Sequence, residues 1–437
     1  MKNLVIYTWQ STLDTLIRVG AEKLTEKVGS IAEETPDTIK IKTRSGKLRP
    51  IKEVLREIAH SGLDRDHNLR LDEDNSECAD WLRKLLSQLD EFPKVNRIGG
   101  NPAISALRIA RLAGHSEGPI PWAAYVGLMS TSVHEYIEQA DSTPELRRVF
   151  DPHHSIRVNE YPTTIALESE RHKLILAYGP GRSPTLLRDA NQGFSPLIDK
   201  LRARIGGIPG RAVLGMNAPR PLEVGEQLIN ELRSELPELA LFVATSSLRH
   251  GNELDTKNVR EIAEGILRHA QILSFNEQEL HDVHTAVVGN GGFRDISLAR
   301  KLQELPFEAI TVVHSAFGAM MKLGTDPETI INSTSFSGDP SGFLAGCLQR
   351  AVDGAAYAID SVANVGRTAN EAMVRVYSES IRHRCEEQFA AVMLNTIERL
   401  PGGIIAAQSP LVAKPLSALT GVGAIFDGLL LANLMRD

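Results

Sequence analysis

Residues 212–275 read AVLGMNAPRPLEVGEQLINELRSELPELALFVATSSLRHGNELDTKNVREIAEGILRHAQILSF. Three short apolar runs, AVLGMN, LALFVATS and QILSF, alternate with two stretches of helical spacing, VGEQLINELRSEL and NVREIAEGILRHA. Short runs apolar on every side suit strands buried on both faces. Longer runs with one apolar stripe suit helices that cover them. Such alternation argues for a mostly parallel sheet with helices on both faces.

The same reading extends outward. AITVVHSAFG (309–318) is another buried strand, followed later by a long helical stretch over roughly 341–400. Near the start, NLVIYTW (3–9) and IPWAAYVG (120–127) are inner strands, and GGNPAISALRIARLAG (99–114) is a glycine turn feeding a buried helix. DTLIRVGAEKLTEKVG (14–29) shows helical spacing, and CADWLRKLLSQLDEF (78–92) is an amphipathic helix.

Two regions break the pattern. TIKIKTRSGKLRPIKEV (38–54) alternates polar and apolar residues around Ser45-Gly46, as a hairpin does. SIRVNEY, TTIALES and KLILAYG (155–179) are three further strand candidates. The expected fold is therefore an α/β three-layer sandwich with a mostly parallel central sheet, plus a β-rich lid. The core would take 1–30, 96–150 and 180–437, and the lid segments 31–95 and 151–179. A half-exposed β flap beside a cleft suits a lid that closes over substrate and expels water.

Bulk properties narrow the function. The 437 residues are 42% apolar, enough for a large core. Lys plus Arg number 48 against 55 Asp plus Glu, giving a net charge of −7. That balance argues against nucleic acid or an anionic membrane as partner and leaves room for a local basic pocket around a small anion. Cys78, Cys347 and Cys385 are too few and scattered for a disulfide framework or a metal cluster. No secretory leader is evident at the start, and no uncharged apolar run is long enough to span a bilayer. A cytoplasmic setting is expected.

Four stretches have residues suited to chemistry. Asp14 lies just beyond the first strand, where a carboxylate faces the crevice of an open α/β sheet. It also fits an ordinary helix start. Gly99-Gly100-Asn101 allows close approach of a ligand, and the Asn amide both donates and accepts, or the trio is a tight turn with an Asn cap. Asn276 and Glu279 fit either a hydrated Mg²⁺ near a phosphate or a capping box, and both can hold at once. Gly421-Val422-Gly423-Ala424 opens an apolar helix, so its amides and the helix dipole would form an anion site. A rival glycine turn places Asp339 before Pro340, a pairing that also suits a helix cap.

In this order the four stretches resemble the ribokinase-like superfamily of sugar kinases, and within it the ADP-dependent glucokinase and phosphofructokinase family. That family sets an early Asp, a Gly-Gly-Asn or Gly-Gly-Gln turn, Asn-x-x-Glu, and Gly-x-Gly-Asp near the C-terminus. The resemblance also covers WLRKLL, NRIGGNPAISALRIARLAG and ILSFNEQEL. It implies Mg²⁺-assisted phosphoryl transfer from ADP to a hydroxyl of a sugar or sugar phosphate, giving AMP. Asp14, Gly99, Gly100 and Asn101 would bind the sugar. Asn276 and Glu279 would organise Mg²⁺, and residues 421–424 would stabilise the transferring phosphoryl group. Arg182 is a candidate contact for a sugar phosphate.

Two positions depart from the family pattern. Ala424 stands where the family has the Asp that deprotonates the acceptor hydroxyl. Ala244 stands where the best alignment of a His-x-Glu strand expects a metal-assisting Glu. A methyl group accepts no proton, so slow or absent turnover is expected. The C-terminal turn keeps both glycines and Phe426, which favours it over Asp339 as the active turn. The alternative is a non-catalytic nucleotide or sugar sensor, a pseudokinase.

Overall fold

The structure is a computed structural model. It describes residues 3–10, 12–42, 47–61, 67–72, 75–113, 122–139, 144–151, 156–158, 163–169, 173–178, 195–207, 209, 211–217, 222–245, 248–250, 253–289, 298–314, 318–324, 340–363, 397–400, 403–408 and 422–435.

The described strands are β1 (Leu4–Gln10), β2 (Thr12–Arg18), β3 (Lys40–Lys42), β4 (Leu48–Pro50), β5 (His67–Arg70), β6 (Lys94–Gly99), β7 (Trp122–Ser130), β8 (Ile156–Val158), β9 (Thr163–Glu168) and β10 (Lys173–Tyr178). They continue with β11 (Ala212–Asn217), β12 (Ala240–Ala244), β13 (Arg249–His250), β14 (Glu253–Leu254), β15 (Ile272–Asn276), β16 (Ile310–His314), β17 (Gly318–Lys322), β18 (Ile397–Leu400) and β19 (Ile404–Gln408).

Ten of them form one sheet, in the order β18-β19-β17-β16-β15-β12-β11-β1-β7-β8. From β16 to β8 every neighbouring pair is parallel, and β17, β19 and β18 add an antiparallel edge. Alternate residues face opposite layers. Leu4, Ile6, Leu214, Leu241, Leu273 and Val313 pack beneath the helices Ser195–Ile205, Leu222–Glu235, Thr256–Gly265, Glu277–Val287 and Leu298–Glu304. Val5, Tyr7, Val213, Phe242, Ile272 and Val312 face the helices Asn101–Ala113, Thr131–Gln139, Pro340–Ala363 and Val422–Leu434. This is the three-layer α/β fold with a mostly parallel sheet that the alternation implied.

The helix Val422–Leu434 is apolar almost all round, so it is stable only as an inner helix. It lies against both Asn101–Ala113 and Pro340–Ala363, and Phe426, Leu429, Leu430 and Leu431 are all nearly inaccessible.

A second sheet has the order β5-β10-β9-β2-β6 and its own core, built on Ile17, Leu24, Leu55, Leu82, Ile165 and Leu176. Its elements reach beyond the expected lid segments, since β2 and the helix Ala21–Glu34 belong to it. The expected helix over 14–29 is therefore two elements. Asp14 to Arg18 form a strand paired with β6 and β9, and the helix begins only at Ala21. The adjacent pair Leu16 and Ile17 suits either, and pairing on both edges decides for strand. β3 and β4 pair antiparallel, as the expected hairpin requires, and its turn at Ser45-Gly46 lies outside the described residues. Ile156–Val158 instead pairs with β7 in the large sheet.

Candidate active site

In the large sheet β1 lies between β7 and β11, and the chain builds outward in both directions from there. In open α/β sheets that reversal leaves a crevice at the strands' carboxyl ends. Asn217 of β11, Ala244 of β12, Asn276 of β15 and His314 of β16 are the last residues of their strands, and Tyr7 and Thr8 lie midway along β1. The buried Tyr7 Oη and Thr8 Oγ1, and Asn217 Oδ1, have no hydrogen-bond partner among the described residues. Buried polar atoms are normally satisfied, so this crevice is where a polar ligand would be expected.

Asp14 reaches the Gly99-Gly100 turn from β2, not from the end of β1. Thr12 is the register partner of Gly99 and Asp14 that of Arg97. The Asp14 carboxyl lies directly on Gly99: a Cβ there would stand 2.0 Å from Asp14 Oδ2. Gly100 has φ 84°, the left-handed region that glycine adopts without strain. Its carbonyl accepts from Ile104 N at 3.0 Å, so Gly100, rather than Asn101, caps the helix that follows. Asn101 is that helix's first residue.

One turn further on, Ser105 Oγ donates to the carbonyl of Ala424 at 2.6 Å. This bond ties the Gly-Gly-Asn helix to the first turn of Val422–Leu434. Gly423 lies in that turn, and a Cβ on it would stand 2.7 Å from His314 Cε1. The His314 ring also packs on Phe426, with centroids 4.9 Å apart. Burial lowers the His314 pKa to about 4, so a neutral imidazole braces the glycine turn. Ala424 is 1% exposed. Gly421, Asp339 and Arg182 lie outside the described residues.

Asn276 and Glu279 form a full capping box. Asn276 Oδ1 accepts from Glu279 N, and Glu279 Oε2 accepts from Asn276 N, both at 2.9 Å. Glu279 Oε2 also accepts from Thr245 Oγ1 at 2.9 Å. Burial raises the Glu279 pKa to about 8, against the opposing pull of these donors. The cap thus engages Asn276 Oδ1 and Glu279 Oε2. No group of three His, Cys, Asp or Glu is gathered as a metal cage among the described residues.

Sequence reasoning missed Asp427. It sits one turn beyond Ala424, is 3% exposed, and accepts from Ser274 Oγ at 2.5 Å. Burial raises its pKa to about 7 despite that bond. A lone carboxylate in the apolar run AIFDGLLLANL was the available signal. His314 and Ser105 carried no comparable signal, because their roles depend on contacts distant in sequence.

No family model and no curated relative matches the chain. Solved structures do match over nearly its full length. A phosphofructokinase from Pyrococcus horikoshii OT3 with AMP is 14% identical, with TM-score 0.53, over 99% of this chain and 97% of that one. An ADP-dependent kinase in complex with fructose-6-phosphate and ADPβS is also 14% identical, with TM-score 0.53, over 99% and 94%. The last common ancestor of ADP-dependent phosphofructokinases from Methanosarcinales is 13% identical, with TM-score 0.52, over 99% and 94%. The chain therefore has the fold of ADP-dependent phosphofructokinases. Among the described residues, no helix is long and apolar enough to cross a membrane.

Proposed function

We propose that this chain is an ADP-dependent sugar or sugar-phosphate kinase-like protein that transfers a phosphoryl group slowly, releasing AMP. The observation that carries this reading is the Ser105–Ala424 bond. It sets the helix of the Gly-Gly-Asn turn against the amino end of Val422–Leu434, within a fold shared with ADP-dependent phosphofructokinases.

Each part has a physical role. Asp14, held on the backbone of Gly99, would accept from a sugar hydroxyl, and Asn101 would be a second sugar contact. The first amides of Val422–Leu434 have no partner within the helix, and they would hold the transferring phosphoryl oxygens. The neutral His314 ring fixes the glycine turn without adding charge. The five-stranded sheet would close over the sugar as a lid and exclude water. Mg²⁺ would arrive with the nucleotide phosphates and keep its waters.

The test is calorimetry with ADP, AMP and ATP in Mg²⁺, followed by AMP release from ADP with glucose, fructose 6-phosphate and related sugars. Micromolar-to-millimolar binding of a purine nucleotide is expected, and no binding to any of the three would end the kinase-like reading. A second reading, a nucleotide or sugar sensor, is favoured by Ala424, whose methyl offers no base. Binding without any AMP release would select it.

A further inference from the structure

Asp427 has no role in the site as described so far, and its surroundings are unusual for a structural residue. It is a buried carboxylate in an otherwise apolar helix, and no Lys, Arg or His pairs with it among the described residues. The hydrogen bond it accepts among the described residues comes from Ser274 Oγ. A buried acid held by one hydroxyl is costly, and an apolar residue of similar size would normally serve the core better.

The neighbours of Asp427 tie it to the inner strands of the large sheet. Ser274 is two residues short of the end of β15, and its register partners are Ala244 on β12 and Val312 on β16. Tyr7, 1% exposed and with its Oη unpartnered, feels the Asp427 charge from β1. Glu279 feels it from the other side. Helix side chains lean toward the amino end, so the Asp427 carboxyl projects back toward the level of Ala424. Through Ser274 the carboxylate is tied to the strand row of Ala244, and it lies one helical turn from Ala424.

We propose that Asp427 accepts the proton of the phosphoryl acceptor, acting through Ser274; this rests on the kinase-like reading above. As the acceptor oxygen bonds to the terminal phosphorus of ADP, the bond from that phosphorus to the bridging oxygen breaks. AMP leaves with the electron pair. The acceptor's proton passes to Ser274 Oγ while Ser274 gives its own to Asp427. A serine hydroxyl donates and accepts at once, as such a transfer needs. The raised pKa of Asp427, about 7, matches a group that takes up and releases a proton near neutrality.

The experiment compares the wild type with Asp427→Asn, Asp427→Ala and Ser274→Ala. It reads nucleotide binding by calorimetry and AMP release with the sugar that wild type accepts. Asp427→Asn should lower kcat about a hundredfold with KM within about threefold of wild type. Formate should restore part of the rate of Asp427→Ala, a recovery that a purely structural residue would not show. If the Asp427 variants fail to fold, Ser274→Ala decides: a lower kcat at unchanged KM supports the relay, and an unchanged kcat overturns it. Asp427→Asn turning over like wild type overturns the relay and leaves the kinase reading standing. Wild type that binds nucleotide and sugar but releases no AMP also overturns it and selects the sensor. Wild type that binds no purine nucleotide removes the kinase reading itself.

Discussion

Ser105 and Ala424 are joined across 319 residues of chain by a 2.6 Å hydrogen bond. The two helices they belong to meet backbone to backbone. A Cβ on Gly428, one turn below Ala424, would stand 2.8 Å from the Ser105 carbonyl oxygen and 3.0 Å from its Cα. Backbone on both sides cannot yield as a flexible side chain would.

Gly428→Ala should therefore destabilise the protein, although alanine is the better helix former by about 1 kcal/mol. Overpacking of this kind costs roughly 1–3 kcal/mol. Urea denaturation should show a lower midpoint, and calorimetry a weaker nucleotide affinity, because the turn at Gly423 moves with the helix. A midpoint at or above wild type would show that the helices part without cost.

Gly99→Ala tests the sugar end of the site. The new Cβ would overlap the Asp14 carboxyl, so Asp14 must turn away. Sugar affinity should fall at least about tenfold, the loss of a charge-assisted hydrogen bond, while nucleotide affinity stays within about twofold. Equal loss of both would assign Asp14 a role in holding the fold instead.

Asp427 links stability to pH. Its folded pKa, about 7, lies above the ordinary value of 3.8, so the native state holds the proton more tightly. Below pH 4 both states are protonated and the buried neutral acid contributes in full. As pH rises toward 7 the unfolded chain gives up its proton first and stability falls, by a few kcal/mol at most, about 1.4 per unit. Asp427→Asn has no proton to lose. Glu279 and Tyr7 both feel the Asp427 charge, so the comparison reads residue 427 together with their response to its loss. Relative to wild type, the variant should gain stability from about pH 4 to about pH 7 and level off above that, and parallel profiles would contradict this. A variant more stable at pH 8 yet slower would fit a carboxylate kept for chemistry.

The large sheet was legible because ILSF and ITVVH are apolar on both faces, which few other arrangements permit. Leu16 and Ile17 were misread because an adjacent apolar pair fits a helix as well as a strand with neighbours on both edges. Ile156–Val158 was recognisable as a strand, but local pattern does not say which sheet it joins. Within the site, the capping box was visible in Asn276 and Glu279, since both partners lie three residues apart. The Ser274–Asp427 bond spans 153 residues, so only folding brings the two together.

Ala424→Asp is the sharpest test of the turn. The substitution returns a carboxylate to the first turn of Val422–Leu434, where the helix dipole favours its charged form. A base there acts without the Ser274 relay, and a positioned base contributes on the order of a hundred- to ten-thousand-fold. AMP release should rise at least about tenfold over wild type, with nucleotide affinity little changed because backbone amides hold the phosphate. The new acid also faces Asp427 one turn away, and like charges so close raise each other's pKa. Combining Ala424→Asp with Asp427→Asn removes that repulsion and the need for the relay together. The double variant should be at least as fast as Ala424→Asp alone, even though Asp427→Asn alone is slow. If it is as slow as Asp427→Asn, the direct base does not form at residue 424. If wild type is already fast and Asp339→Ala abolishes the activity, then Asp339 is the base and the active turn lies there.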